Sequence, residues 1–230
     1  MHREIKLTAD GSHTIVIPEL NVTYHSHHGA VAESMHVYIE AGLFPLIDPS
    51  IQKSLSILEI GFGTGLNALL TLQEAIKHKQ HIHYTAIEPY PLTQAEVSQL
   101  NHGGLLSMKD AFLQLHNSPW EKDIALNEFF TLQKRNTSLL SLQNIHPIHC
   151  IYFDAFAPTD QPELWAQAVF ENLYKMLAPQ GILVTYCSKT VIRKAMEAAG
   201  FIIQKIPGPH GKRDMVRAKK WHADDTDQAD

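Results

Sequence analysis

Cysteine is almost missing from this 230-residue chain: Cys150 and Cys187 are the only two, both sit inside apolar runs, and they form no Cys-x-x-Cys pair. A disulfide framework and a cysteine-built zinc site are therefore not expected, and a reducing cytoplasmic setting is. Long hydrophobic runs are missing too. No uninterrupted apolar stretch approaches the roughly 20 residues of a membrane helix, and the opening MHREIKLTAD has no charged-then-apolar leader, so a soluble protein without a membrane partner is expected. Net positive charge is absent: 19 Lys and Arg face 24 Asp and Glu, a formal charge of −5 that argues against a surface coated by nucleic acid but leaves room for a local basic patch. The 15 histidines are scattered; His25, His27 and His28 lack a further His/Cys pair at ligand spacing, so no metal is expected.

What is present is enough apolar character, 44% of residues, for a single buried core with a small N-terminal elaboration. Residues 5–20 alternate around Asp10-Gly11, a pair that favours a tight hairpin turn, and residues 30–41 suit a short helix. From Leu55 the pattern changes to apolar strands separated by helical segments. Strands are predicted at 55–60, 82–88, 129–134, 148–154, 181–187, 201–206 and 214–218, and helices at 66–77, 92–100, 164–178 and 190–199. This alternation predicts a Rossmann-like α/β fold with a mostly parallel seven-stranded sheet, covered on both faces. The link through Pro207-Gly208-Pro209-His210-Gly211 is too short for a crossover helix, so the sheet should end in an antiparallel pair, as in class I methyltransferases. The expected division is an extension over residues 1–50, a methyltransferase domain over 51–221 and a disordered acidic tail over 222–230.

Two segments carry chemistry. In Leu58-Glu59-Ile60-Gly61-Phe62-Gly63-Thr64-Gly65-Leu66-Asn67 a strand turns into a helix through glycines, which let the backbone approach a cofactor and offer amides to an anionic group. A dinucleotide fingerprint needs a small residue where Leu66 stands, which weakens an NAD reading and favours S-adenosyl-L-methionine. Glu59 fits an acceptor near the amino-acid end of that cofactor, and Glu88, ending the next strand, an acceptor for ribose hydroxyls. The plainer alternatives are a tight turn and a solvated strand end. The second segment, Ile151-Tyr152-Phe153-Asp154-Ala155-Phe156-Ala157-Pro158, lies at the carboxyl end of the fourth strand, where ligands of open α/β sheets bind. Asp154 there would orient a nitrogen nucleophile or take its proton, or else cap a helix.

At these residues the chain resembles the methyltransferase of the bacterial tRNA 5-methylaminomethyl-2-thiouridine pathway. The resemblance rests on Tyr24 to Glu33, on Gly61-Phe62-Gly63-Thr64-Gly65-Leu66-Asn67, on Asp154-Ala155-Phe156-Ala157-Pro158 with Trp165, and on Gly211-Lys212-Arg213-Asp214-Met215. It implies methylation of an aminomethyl group on the wobble uridine of tRNA, bound through its anticodon loop. It also implies a standalone form, without the flavin-dependent oxidase domain of bifunctional relatives. Tyr24, Glu33 and Asn67 are carried over as cofactor-pocket residues. Asn136 stands where the family places an acid near the adenine amino group; its carbonyl can still accept. Phe156 and Trp165 would stack on a base or pack in the core. Residues 201–221 hold Lys205, Lys212, Arg213, Arg217, Lys219 and Lys220 against Asp214 alone, a candidate phosphate-binding patch with Lys212 and Arg213 at its tip. Two rivals share the cofactor site: a methyltransferase for a small-molecule or protein amine, and a catalytically silent cofactor-binding scaffold.

Overall fold

A computed structural model of the chain describes residues 2–48, 54–142, 147–211 and 213–220. Lys212, the domain division expected at residue 50 and the tail 222–230 lie outside the described residues. Among those described, the strands form two sheets.

The smaller sheet is antiparallel: β1 (Glu4–Leu7), β2 (His13–Ile17) and β3 (Val22–Thr23). Its hairpin is the expected one, but the turn is longer than the Asp10-Gly11 pair suggests. Leu7 pairs with His13, and the Thr8 amide closes the connection on the Ser12 carbonyl at 2.8 Å. Asp10 is used elsewhere. Its Oδ1 accepts from the Ser12 amide at 3.0 Å, while Oδ2 accepts from the Ala32 amide at 2.9 Å in α1 (Ala30–Ser34), so the turn residue satisfies an orphan donor of the first helix. Beyond Ser34 the helix widens into a π-helical stretch, Met35–Leu43. It comes down close on the large sheet, and a Cβ on Gly42 would lie 2.9 Å from Val184 Cγ2.

The larger sheet contains β4 (Leu55–Ile60), β5 (Ile82–Ile87), β6 (Asp123–Asn127), β7 (Phe130–Arg135), β8 (Ile148–Phe153), β9 (Leu177–Thr185), β10 (Phe201–Pro207) and β11 (Asp214–Lys220). Their order is β10-β11-β9-β8-β4-β5-β7-β6. The run β9-β8-β4-β5-β7 is parallel, and β11 joins it antiparallel with β10 as its hairpin partner. The seven expected strands are all there. The sheet gains an eighth, β6, antiparallel to β7 and only partly buried, which is why no strong apolar pattern announced it.

Helices α2 (Leu66–His78), α6 (Gln167–Met176) and α7 (Thr190–Ala198) fall inside or beside their expected ranges. The helix expected over 92–100 shrinks to one turn, α3 (Gln94–Val97), started by a Thr93/Glu96 capping box. Two short helices were not anticipated, α4 (His102–Leu105) and α5 (Lys109–Asn117).

Strands β4 and β8 are buried on both faces, so they read as continuous apolar runs rather than alternating ones. One face, with Ile57, Tyr84 and Tyr152, packs under α2 and the π-helical stretch; the other, with Leu58, Ile151 and Phe153, packs against α6 and α7. From β4 the chain moves to β5 on one side and reaches β8 on the other only later. The carboxyl ends of β4 and β8 therefore flank a topological switch point, where open α/β sheets bind ligands.

Candidate active site

A cleft of about 730 Å³ opens at that switch point. One wall comes from the large sheet's loops, the other from residues 20–28 after the hairpin. Of the residues singled out from the sequence, Tyr24, Glu33, Gly61, Gly63, Asn67, Glu88, Asp154 and Phe156 line it. Glu59, Gly65, Asn136 and Arg213 do not.

The glycine loop is forced by geometry. Gly61, Gly63 and Gly65 have φ of +92°, +49° and +71°, which side chains other than glycine rarely adopt. A Cβ at Gly61 would lie 2.9 Å from the Asp154 carbonyl, one at Gly63 3.2 Å from the Tyr24 ring, and one at Gly65 2.9 Å from His116 Nε2. Four amides of the loop itself are spent within the fold, whereas the helix start was expected to offer amides to an anion. Gly61 and Phe62 both donate to the Ile87 carbonyl (3.0 and 3.2 Å), Gly63 to Glu88 Oε2 (3.1 Å) and Gly65 to the Phe62 carbonyl (2.8 Å). A pyrophosphate would find these donors occupied, which counts against a dinucleotide.

Charge points the same way. Glu33, Glu88, Asp154, Asp160 and Glu163 line the cleft, whereas the guanidinium of Arg3 is tied to the Tyr90 carbonyl at 2.7 Å and to Glu96 at 3.3 Å. Glu88 accepts from the amides of Gly63 and Tyr90, and burial raises its proton affinity. Glu33 accepts from the Ser26 amide at 2.7 Å. Burial pushes the Tyr24 phenol up to about 12, and its ring meets Phe156 edge-on at 5.3 Å. On the cleft floor Asn67 Oδ1 and Thr64 Oγ1 are buried acceptors without a partner among the described residues. A glycine cradle with an acceptor-rich, acidic floor fits S-adenosyl-L-methionine, whose ammonium and sulfonium are cations and which has no phosphate.

Asp154 occupies the junction of these parts. Its Oδ1 accepts from the Tyr38 hydroxyl at 2.5 Å and its Oδ2 from Asn67 Nδ2 at 2.9 Å. Behind the cleft lies Glu59, fully enclosed rather than on the cleft surface, with Asn67 and Tyr84 as its polar neighbours. Burial, reinforced by the Asp154 charge, holds its proton affinity well above the ordinary carboxylate range. Any influence of Glu59 on a ligand therefore passes through its neighbours, Asn67 and Asp154 among them.

The remaining candidates separate. Asn136 is exposed and spends its Nδ2 on the Glu88 carbonyl at 2.9 Å, bracing the acid's loop from behind. Trp165 belongs to the core: it packs edge-on against Phe153 at 4.8 Å and donates to the Phe156 carbonyl. Arg213 is exposed in the turn before β11; the neighbouring His210 ring meets that of His28, a cleft residue, at 5.0 Å. The other basic residues add little free charge there. Lys205 is paired with Asp214 at 2.9 Å, and Lys219 and Lys220 lie at the opposite end of the sheet, where Lys220 donates to the Leu177 carbonyl. His25 is buried against Thr14, and among the described residues no three potential ligands gather to hold a metal.

Sequence reasoning missed Tyr38, Arg3 and a brace behind the glycine loop. In that brace Lys134, only 1% exposed, donates to the His116 carbonyl at 2.6 Å and lies over Trp120 at 4.7 Å, while His116 Nε2 meets the Thr64 carbonyl at 3.0 Å. Burial pulls the Lys134 ammonium down to about 8.

Residues 118–221 match a family described as S-adenosyl-L-methionine-dependent methyltransferase. The chain carries an S-adenosyl-L-methionine-dependent methyltransferase domain. The tRNA 5-methylaminomethyl-2-thiouridine biosynthesis bifunctional protein MnmC of Cupriavidus metallidurans is 32% identical over 93% of this chain and 33% of its own length. The protein of the same name from Leptospira interrogans is 30% identical over 91% of this chain and 34% of its own. The chain thus spans about a third of the length of these curated relatives. The crystal structure of MNMC2 from Aquifex aeolicus superposes with a TM-score of 0.76 at 23% identity, covering 94% of this chain and 70% of that one, and shares the fold. No helix among the described residues is long and apolar enough to cross a membrane.

For this methyltransferase domain, Gly63→Val is expected to abolish S-adenosylmethionine binding in calorimetry. The new side chain both strains a φ of +49° and crowds Tyr24 at the cleft wall. Binding at parental affinity would remove the loop from the cofactor site.

Proposed function

We propose that this chain methylates the aminomethyl nitrogen of 5-aminomethyl-(2-thio)uridine at the tRNA wobble position, giving 5-methylaminomethyl-(2-thio)uridine. The observation that carries this reading is Asp154: a carboxylate held by two donors, facing an acidic cleft beside the aromatic Phe156, at the switch point of a methyltransferase sheet. The curated relatives named for tRNA 5-methylaminomethyl-2-thiouridine biosynthesis supply the acceptor.

In this reading Gly61, Gly63, Asn67 and Glu88 hold S-adenosylmethionine from the sheet side. Tyr24 and Glu33 close on it from the N-terminal extension, 1–50, while Gly65, Glu59 and Asn136 keep those groups in place within the domain 51–221. When bound, the cofactor supplies a methyl already activated by a positive sulfur. Much of the acceleration then comes from position. Asp154, held by the Tyr38 hydroxyl and Asn67 Nδ2, presents a carboxylate acceptor of the kind that holds the N–H groups of an amine. An alkylammonium has no lone pair, so the amine must shed a proton before it attacks. Phe156 offers an apolar edge to the uridine, and no metal is required.

Phosphates of the anticodon loop would be held by Arg213 together with Lys212. Changing both to alanine is expected to weaken tRNA binding and to flatten its log–log salt dependence by about one unit or slightly more, at nearly unchanged S-adenosylmethionine affinity. A filter-binding series in which the double variant matches the parent at every salt concentration would dismiss this contact.

One observation favours a second reading. With Lys205 paired to Asp214 and Lys219 and Lys220 at the far end of the sheet, the cleft is predominantly acidic, which suits a small free polyamine or a protein lysine. Competition separates the two: with labelled methyl donor, tRNA carrying aminomethyluridine should take the label in preference to free diamines and peptides. Label appearing only in the free amines would replace the tRNA reading. Absence of label in every acceptor, with the cofactor bound, would leave the silent scaffold.

A further inference from the structure

We propose that Tyr38 is a positioning residue that keeps the Asp154 side chain ionised and aimed into the cleft, so that Asp154 serves as a standing anion for the amine rather than as the base that deprotonates it. This rests on the reading above only in assigning Asp154 to the amine.

The geometry is specific. Tyr38 is 2% exposed and does not line the cleft, yet its hydroxyl reaches the carboxylate at 2.5 Å. It belongs to the π-helical stretch Met35–Leu43, a widened helix of the kind found at functional sites. Its ring packs against Tyr152 at 5.3 Å, which fixes the direction of the hydroxyl. Asn67 holds the other oxygen from α2, so two elements grip one carboxylate. Hydrogen bonds donated to a carboxylate stabilise its charged form and oppose protonation.

The groups facing Asp154 from the surrounding elements are Glu59 on β4, Tyr84 on β5, Tyr186 beyond β9 and Glu33 on α1 near Tyr38. Burial raises the proton affinity of Glu59, Tyr84 and Tyr186, which favours the neutral form of each beside Asp154. Tyr38 is raised in the same way, by burial first and by Asp154 second, and therefore remains a donor over the working pH range. A carboxylate secured like this is a poor proton acceptor, and the amine's proton leaves to water through the open cleft.

Tyr38→Phe removes the hydroxyl and keeps the ring. Two readouts are compared with the parent at pH 7 and above, where the fold is intact: the chemical shift of the Asp154 carboxyl carbon without substrate, and single-turnover methyl transfer at saturating cofactor. The carboxyl resonance is expected to move and transfer to slow by about tenfold, the size of a hydrogen bond lost from a charged group, at unchanged cofactor affinity. A resonance that stays in place overturns the positioning role. A resonance that moves at parental transfer rates keeps that role and overturns the assignment of Asp154 to the amine. Should the phenylalanine variant fail to fold, 3-fluorotyrosine at position 38, a stronger donor, must move the resonance in the opposite direction.

Discussion

Asp154→Asn is expected to bind S-adenosylmethionine within a few-fold of the parent while single-turnover methyl transfer falls by about two orders of magnitude or more, the range for losing a preorganised electrostatic partner of the reacting group. The two effects separate because Asp154 sits on β8's loop, whereas the cofactor cradle is built from β4, β5 and the N-terminal wall. The amide is nearly isosteric but carries no charge for a cationic or nascent-cationic amine. Its NH2 would either face the Tyr38 hydroxyl, reversing that hydrogen bond, or face Asn67 Nδ2, losing that one. Calorimetry and rapid-quench measurements on the same preparation check both halves. Parental rates in the variant would take Asp154 out of the chemistry.

Acid should unfold the protein steeply between pH 6.5 and about 4. Burial lowers His25 and His116 to about 4 and His102 to about 3, and neither ring nitrogen of His102 has a hydrogen-bond partner among the described residues. The unfolded chain binds protons at these histidines below their ordinary value of 6.5, while the folded chain refuses them until far lower pH. Stability is therefore greatest above 6.5 and is lost as pH falls towards the folded values, by on the order of 3 kcal/mol for each histidine. Urea midpoints measured from pH 7 to 4 should fall with a slope of roughly three protons taken up on unfolding. A flat series down to pH 5 would contradict the buried neutral assignment. Since His116 braces the Thr64 carbonyl, cofactor binding should disappear along the same curve.

The parallel core was legible because β4 and β8, buried on both faces, run apolar for their whole length and end in motifs that need glycine or an acid. The span from Asn101 to Asn127 was not, since α4, α5 and β6 bury only part of one face each and show little period. In the site, the order of strand, glycines, helix and acid placed Gly61, Gly63, Glu88 and Asp154 around one cleft. Glu59 read as a surface acceptor because its position in the motif says nothing about depth; the strand's pleat turns it under α2 with Ile57. Tyr38 was hidden for the opposite reason. An aromatic residue in an apolar helix reads as packing, and only the need of a buried hydroxyl for a partner could have hinted at more. The basic segment misled through its compactness in sequence, because β11 carries Asp214 and Lys220 to opposite ends of the sheet.

The central claim is the product. The chain is incubated with S-adenosylmethionine and tRNA carrying aminomethyluridine, and the tRNA is digested to nucleosides for mass spectrometry. The account predicts that aminomethyluridine disappears as methylaminomethyluridine grows in, that Asp154→Asn slows this conversion, and that a mock tRNA without the aminomethyl group takes up no methyl. Unaltered aminomethyluridine after complete cofactor binding, or methyl found at another nucleoside, would contradict it.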